Sequence, residues 1–160
     1  MPANTLTEKS SVVASLDADA YSTGTVNGAA VAISNFRKTE VIANYGTLGS
    51  TTTCIVKIQS STDGTTFADL LGDDGVTVVA FPAVVPGTDD DTVFRGLIYN
   101  VELPLNTSHL RAVATIGVLA MDLSVLMRLG EPYDAPVVAD AVAANLGGNA
   151  FSAIHGVGAR

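Results

Sequence analysis

The chain is predicted to be all-β: an antiparallel β-sandwich, jelly-roll-like, of eight or nine strands, with an extended C-terminal arm. Three observations predict it. The β-branched residues Val, Ile and Thr fill 44 of 160 positions, the residues that fit a pleated, half-buried surface. Short apolar runs alternate with Gly, Asn, Asp, Ser and Thr clusters from Ser11 to Leu129, the rhythm of a sandwich and not of alternating strands and helices. Within several runs the apolar residues recur at every second position, which gives one buried and one wetter face.

In order, Met1–Ser10 is polar and unpatterned and reads as a lead-in. Residues 11–130 form the sandwich domain, and 131–160 the arm or tail. Strands are expected at Ser11–Leu16, Val26–Ser34, Thr39–Thr47, Thr52–Ser60, Thr66–Leu70, Val76–Phe81, Thr92–Leu103, His109–Ile116 and Met121–Leu129. In the fourth of these, Cys54, Val56 and Ile58 share a face. In the last two, Leu110, Ala112, Ala114 and Ile116, then Leu123, Val125, Met127 and Leu129, point inward. Asp63-Gly64 between two alternating runs gives a hairpin, because Gly64 takes positive φ at little steric cost, and Phe67 is expected to return to the core.

Thr92–Leu103 is less tidy. Val93, Arg95, Leu97, Tyr99 and Val101 lie on one parity, while Phe94 and Ile98 lie on the other. Both faces carry apolar bulk, which fits either a face that meets another subunit or a central strand covered on both sides. Beyond Leu129, Pro132 and Pro136 oppose continued pairing. Val138, Val142 and Leu146 fall at helical spacing before Gly147-Gly148, and the Ala- and Gly-rich remainder is too poor in apolar bulk to form its own core.

Charge and composition exclude several classes. The net charge is −8, which opposes phosphate, and the basic residues are scattered apart from Arg37-Lys38, so no nucleic-acid surface is expected. A single cysteine, Cys54, permits no intrachain disulfide and no cysteine-rich zinc site. No apolar run reaches the roughly 18 residues of a membrane-spanning helix, and the N-terminus shows no secretory pattern. Asn106-Thr107-Ser108 therefore reads as an accidental glycosylation triplet.

Reactive groups are sparse. His109 precedes a strand and reads as a loop or edge residue, and His155 lies in the sparse tail. Cys54 sits on an apolar face, where a thiol is inert. No Gly-x-Ser-x-Gly elbow or phosphate loop is present. Asp17 with Asp19, Asp73 with Asp74, and Asp89–Asp91 offer oxygen ligands, but none follows the spacing of a calcium loop. No catalytic, cofactor-binding or metal residue is assigned, and no enzyme activity or cofactor is expected.

Three stretches together resemble the small head decoration (cement) proteins of tailed bacteriophages. The first is Thr25–Ile33, leading into a strand that ends Asn44-Tyr45-Gly46-Thr47-Leu48. The second is Val56–Asp69, with its Ser-x-Asp-Gly-x-x-Phe hairpin. The third is Leu110–Thr115, followed by Leu129-Gly130-Glu131-Pro132 and Ala135-Pro136. The resemblance runs from about Thr25 to Pro136 and departs between Ala80 and Leu103, where Pro82, Pro86 and Asp89–Asp91 precede Val93–Tyr99. It implies a non-catalytic protein on the outside of a virion head, made in the host bacterial cytoplasm. Its implied partners are the major capsid protein and itself, as a homo-oligomer and most often a trimer. The same hairpin is similar to those of carbohydrate-binding β-sandwiches, and a tail or neck component of the same virion fits the pattern as well.

Overall fold

A computed structural model describes residues 10–132. The lead-in before Ser10, the arm beyond Pro132 with the helical spacing of Val138, Val142 and Leu146, and His155 lie outside the described residues. Nine strands form: β1 (Ser10–Tyr21), β2 (Gly24–Asn27), β3 (Val31–Ala32), β4 (Phe36–Tyr45), β5 (Thr53–Ser61), β6 (Ala68–Asp69), β7 (Val93–Tyr99), β8 (His109–Gly117) and β9 (Met121–Pro132). A 3₁₀ turn, Asn100–Glu102, follows β7.

The strands make two antiparallel sheets, ordered β1-β9-β4-β7 and β2-β8-β5-β6, with β3 also on β8. Because β2 and β3 both pair with β8, they behave as one strand broken at Gly28–Ala30. Counted so, the sheets run 1-8-3-6 and 2-7-4-5, the double Greek key of an eight-stranded jelly roll. The fold is an antiparallel jelly-roll sandwich.

The inward residues are those the alternation predicts. Cys54, Val56 and Ile58 from β5, Leu110, Ala112, Ala114 and Ile116 from β8, and Leu123, Val125, Met127 and Leu129 from β9 are all buried. Val41, Ala43 and Tyr45 of β4 lie beside the β9 residues on the inner face of the first sheet, opposite those of β5 and β8, and Phe36, Phe81, Phe94 and Ile98 pack at the margins. Thr39, also fully buried, donates to Asn100 Oδ1 at 2.9 Å, and Asn100 Nδ2 donates to the Phe36 carbonyl at 2.9 Å. That pair of bonds ties the end of β7 to the start of β4.

Four expectations are corrected. β1 extends to Tyr21, well past Leu16, because register shifts between Ala14 and Leu16 and between Leu16 and Asp19 break its parity without ending its pairing. Val26–Ser34 is interrupted, since the chain leaves β8 after Gly28 and rejoins it at Val31. Val76–Phe81 is not a regular strand. Ile58 donates to Val79 O, Phe81 to Val56 O and Val84 to Cys54 O at 2.9–3.1 Å, so this segment borders β5, but Pro82 cannot donate and the ladder stays irregular. Finally, β9 continues through Gly130 to Pro132, which pairs with Phe36 at the strand end, so pairing survives past Leu129.

Candidate assembly surface

The outer face of the first sheet is built by the residues between the inward ones. Reading across β7, β4, β9 and β1, the rows are Tyr99–Lys38–Gly130–Ser10, Leu97–Glu40–Arg128–Val12, Arg95–Ile42–Leu126–Ala14 and Val93–Asn44–Ser124. Val93, Leu97, Tyr99 and Val12 are exposed, with 52% of Leu97 and 59% of Val12 open to solvent. This decides the question left open for the Thr92–Leu103 run. β7 is an edge strand, not a central one, and its second apolar face is uncovered in the described chain.

One acid lies in the middle of this face. Glu40 is held between two guanidinium groups, with Arg128 NH2 2.8 Å from its Oε2 and Arg95 NH1 3.9 Å from its Oε1. The Arg128 contact is an ion pair without the alignment of a hydrogen bond. At the near end Lys38 pairs with Glu131 and lies 5.6 Å over the Tyr99 ring; the hydrogen bond that Lys38 donates to Glu131 raises its pKa above the ordinary lysine value. Ser10, Lys38, Glu40, Leu97, Arg128, Gly130 and Glu131 line a shallow groove of about 250 Å³ there. Exposed apolar side chains alternate here with paired charges, Lys38 with Glu131 and Glu40 with Arg128, while the more exposed Arg95 leaves one positive charge over; the apolar part of such a face gains by being covered.

The outer face of the second sheet is chemically different. Arg111 donates from Nε and NH2 to Gln59 Oε1 at 2.9 and 2.7 Å, Gln59 Nε2 donates to Asp69 Oδ1 at 2.7 Å, and Lys57 Nζ donates to Asp69 Oδ2 at 2.9 Å. These bonds, Lys57 first, hold the Asp69 carboxyl below its ordinary pKa. Phe67 does not return to the core as expected. It lies half-buried on this outer side, with the Arg111 guanidinium 4.2 Å from its ring centre. The hairpin itself forms, with Ser60 opposite Ala68. Its loop is wound around Asp63, whose Oδ1 accepts from Thr65 N and Thr66 N at 2.8 and 2.7 Å and so keeps the carboxyl well below the usual range. Gly64 takes φ +74°, and a Cβ there would stand 3.1 Å from the His109 ring.

The other candidate groups are employed structurally. His109 Nδ1 shares a hydrogen bond with Ser108 Oγ at 2.8 Å. Cys54 is fully buried, and burial pushes its thiol up to about 11. The Tyr45 hydroxyl is buried without a hydrogen-bond partner, and that burial raises its pKa. Asp89 Oδ2 accepts from Val85 N at 2.7 Å, Asp90 Oδ1 from Leu48 N at 3.2 Å, and Asp74 closes a turn on Val76 N and Thr77 N. Asp17 and Asp19 lie on β1, where the Asp17 carbonyl accepts from Tyr21 and Asp19 bonds the next amide. Among the described residues no three His, Cys, Asp or Glu side chains gather as a metal-ligand set.

Sequence reading missed one structural residue of consequence, Ser15. Gly28 donates to Ala112 O at 2.8 Å, as a ladder requires, but Ala112 N–H turns to Ser15 Oγ at 2.9 Å, and Ser15 Oγ donates to Ala29 O at 3.0 Å. Ser15 belongs to the first sheet, so its hydroxyl stitches the two sheets where the broken strand leaves β8. A serine inside an apolar run, opposite a Gly-Ala-Ala break, is the only signal of it in the sequence.

No protein-family model matches the chain, and no curated protein matches it. Solved structures similar to it include infectious bursal disease virus, Gt strain, at 14% identity and a TM-score of 0.44 over 76% of this chain and 33% of that one. The VP2 subviral particle of the same virus matches at 14% identity and a TM-score of 0.44, over 76% and 32%. A Bacillus endospore appendage pilus matches at 12% and 0.37, over 82% and 96%. The chain thus spans about a third of the length of the viral chains. Likeness at this level concerns the course of the backbone and not what the protein does.

Proposed function

We propose that this chain is a structural protein of a virion, a decoration or cement protein that binds the outside of a tailed-phage head and bridges neighbouring major capsid subunits. The observation that carries the reading is the outer face of the first sheet: exposed Val12, Val93, Leu97 and Tyr99 around a Glu40 already neutralised by Arg95 and Arg128. Such a face gains by being covered. The sequence resemblance over Thr25–Pro136 supplies the head as the covering surface and a homo-oligomer as the assembled form. The jelly roll suits the role, because a closed double Greek key presents broad rigid faces for lateral contact. The role needs no reaction, cofactor or nucleic acid, and it places the protein on the capsid exterior.

A carbohydrate-binding role needs an open aromatic platform. The Phe67 ring, which the hairpin offers for it, is occupied by Arg111, Tyr45 is buried, and the exposed Tyr99 ring stands alone with Lys38 5.6 Å over it. The test is co-sedimentation of the full-length protein with purified heads that lack it, together with the melting temperature of those heads. Binding with a raised melting temperature is expected, and Val12→Asp, an exposed position, is expected to weaken it without unfolding the chain. Absence of binding, with retention as a monomer on a glycan array, would overturn the reading.

A further inference from the structure

The two edges of the first sheet are built differently. β1 carries two bulges, a device that turns an edge away from further pairing. β7 carries none: its register with β4 is unbroken from Lys38–Tyr99 to Asn44–Val93, and Val93–Tyr99 contains neither proline nor acid. The N–H of Tyr45 donates to Thr92 O at 2.9 Å, which sets the phase of the ladder. Thr92, Phe94, Gly96 and Ile98 turn their backbone groups toward β4, while Val93, Arg95, Leu97 and Tyr99 turn theirs to the free side. Among the described residues no strand pairs with that side. A row of outward N–H and C=O groups this regular is satisfied in register only by another extended chain.

The sequence of β7 points to which chain. It reads Val-Phe-Arg-Gly-Leu-Ile-Tyr, with Gly96 at its centre. We propose that β7 is a strand-addition edge through which two copies of this chain join about a twofold axis at Gly96, making one continuous eight-stranded sheet.

In that pairing Val93 faces Tyr99 of the second copy and Arg95 faces Leu97, both as hydrogen-bonded pairs, which matches the phase set by Tyr45. Phe94 faces Ile98 on the inner side. Gly96 faces Gly96 as a non-hydrogen-bonded pair, the kind in which Cα atoms approach to about 4.5 Å. A side chain there would crowd the axis, and its Cβ would already press on Phe81 Cε1 at 3.3 Å. Charge favours the same place. The chain as a whole, at −8, repels its copies, but Val93–Tyr99 holds one arginine and no acid, so copies approach there against the least repulsion. An isologous contact of this kind closes on itself and leaves the outer face intact and doubled in width. The inference does not depend on the capsid role.

The full-length protein in solution tests it, by mass from sedimentation and by amide exchange at Val93, Arg95, Leu97 and Tyr99 over a concentration series. The expected result is a shift from one copy to two, with exchange at those four amides slowed about 100-fold or more as the dimer forms, and stronger association at higher salt. Leu97→Pro removes an N–H that β4 does not use, and Leu97→Lys places a charge on the edge. Each is expected to weaken pairing at least about tenfold, and Leu97→Lys serves if the proline variant fails to fold. A single copy with fast exchange at the four amides would overturn the proposal. So would a single copy with the amides protected, since the chain's own remaining residues would then cover the edge. Association that leaves the amides fast and ignores both Leu97 variants would place the contact elsewhere and equally overturn it.

Discussion

Replacing Ser15 with alanine removes one oxygen and is expected to destabilise the sandwich by about 2 kcal/mol. The Ala112 N–H that donates to Ser15 Oγ belongs to a residue with no solvent exposure, on a strand flanked by β5 and by the break between β2 and β3. With the hydroxyl gone, that N–H has no acceptor and no route to water, and an orphaned buried donor costs about 1–3 kcal/mol. The Ala29 carbonyl, which Ser15 also bonds, is on an exposed residue and recovers a water, so it adds little. At this chain size a loss of about 2 kcal/mol lowers the melting temperature by about 4–8 °C. Urea unfolding of the full-length protein measures it directly, as a lower midpoint with an unchanged slope. Ser11→Ala, exposed on the same strand, is the control and is expected to shift stability by less than about 0.5 kcal/mol. A Ser15→Ala midpoint indistinguishable from that of Ser11→Ala would show that Ala112 N–H has another partner and that the stitch between the sheets is not held by this hydroxyl.

The remaining predictions come from equally local features. Gly28→Ala places a Cβ 2.4 Å from Ser15 Oγ and 2.8 Å from Ala112 O, contacts that force the strand break to shift; a loss of about 1–3 kcal/mol is expected in the same urea assay. Asp63 and Asp74 have folded-state pKa values below the unfolded aspartate value, Asp74 at about 2. Their stabilisation is fully present above about pH 4 and is lost as pH falls through the folded values, so acid titration of stability should steepen below pH ~4 and flatten in Asp63→Ala and Asp74→Ala. Cys54, buried with its thiol pushed up to about 11, should resist a thiol reagent at neutral pH in the native protein and react promptly in urea, as followed by the labelled mass.

Much of the fold is legible in the sequence, because burial repeats with the pleat. Cys54-Val56-Ile58, Leu110 through Ile116 and Leu123 through Leu129 each sit on one regular strand, so period-two alternation names their inward residues, although Val113, on the other parity of β8, is buried as well. Where the backbone departs from regular pairing, the pattern fails with it. β1 loses its parity at two bulges, so Ser15 and Leu16, adjacent in sequence, are both buried and the alternation stops short of the strand's end at Tyr21. Phe67 is apolar yet faces outward, since a cation at 4.2 Å gives its ring a partner that alternation cannot foresee.

The candidate surface was half visible. The second apolar parity of Val93–Tyr99 is plain in the sequence, but whether it was buried or open depended on the sheet order, which arises from long-range pairing between β4, β7 and β9. Glu40, Arg95 and Arg128 lie on three different strands, and their meeting is a consequence of register alone.

The central claim is that the outer face of the first sheet is covered in the assembled virion. Co-sedimentation of the full-length chain with heads lacking it, comparing the unaltered protein with Val12→Asp, tests that claim most directly. The account predicts saturable binding by the unaltered protein and binding weakened at least about tenfold, equivalent to about 1.4 kcal/mol, by the single exposed substitution, with no change in melting temperature of the free chain. Equal binding by both proteins, or binding by neither, would contradict it.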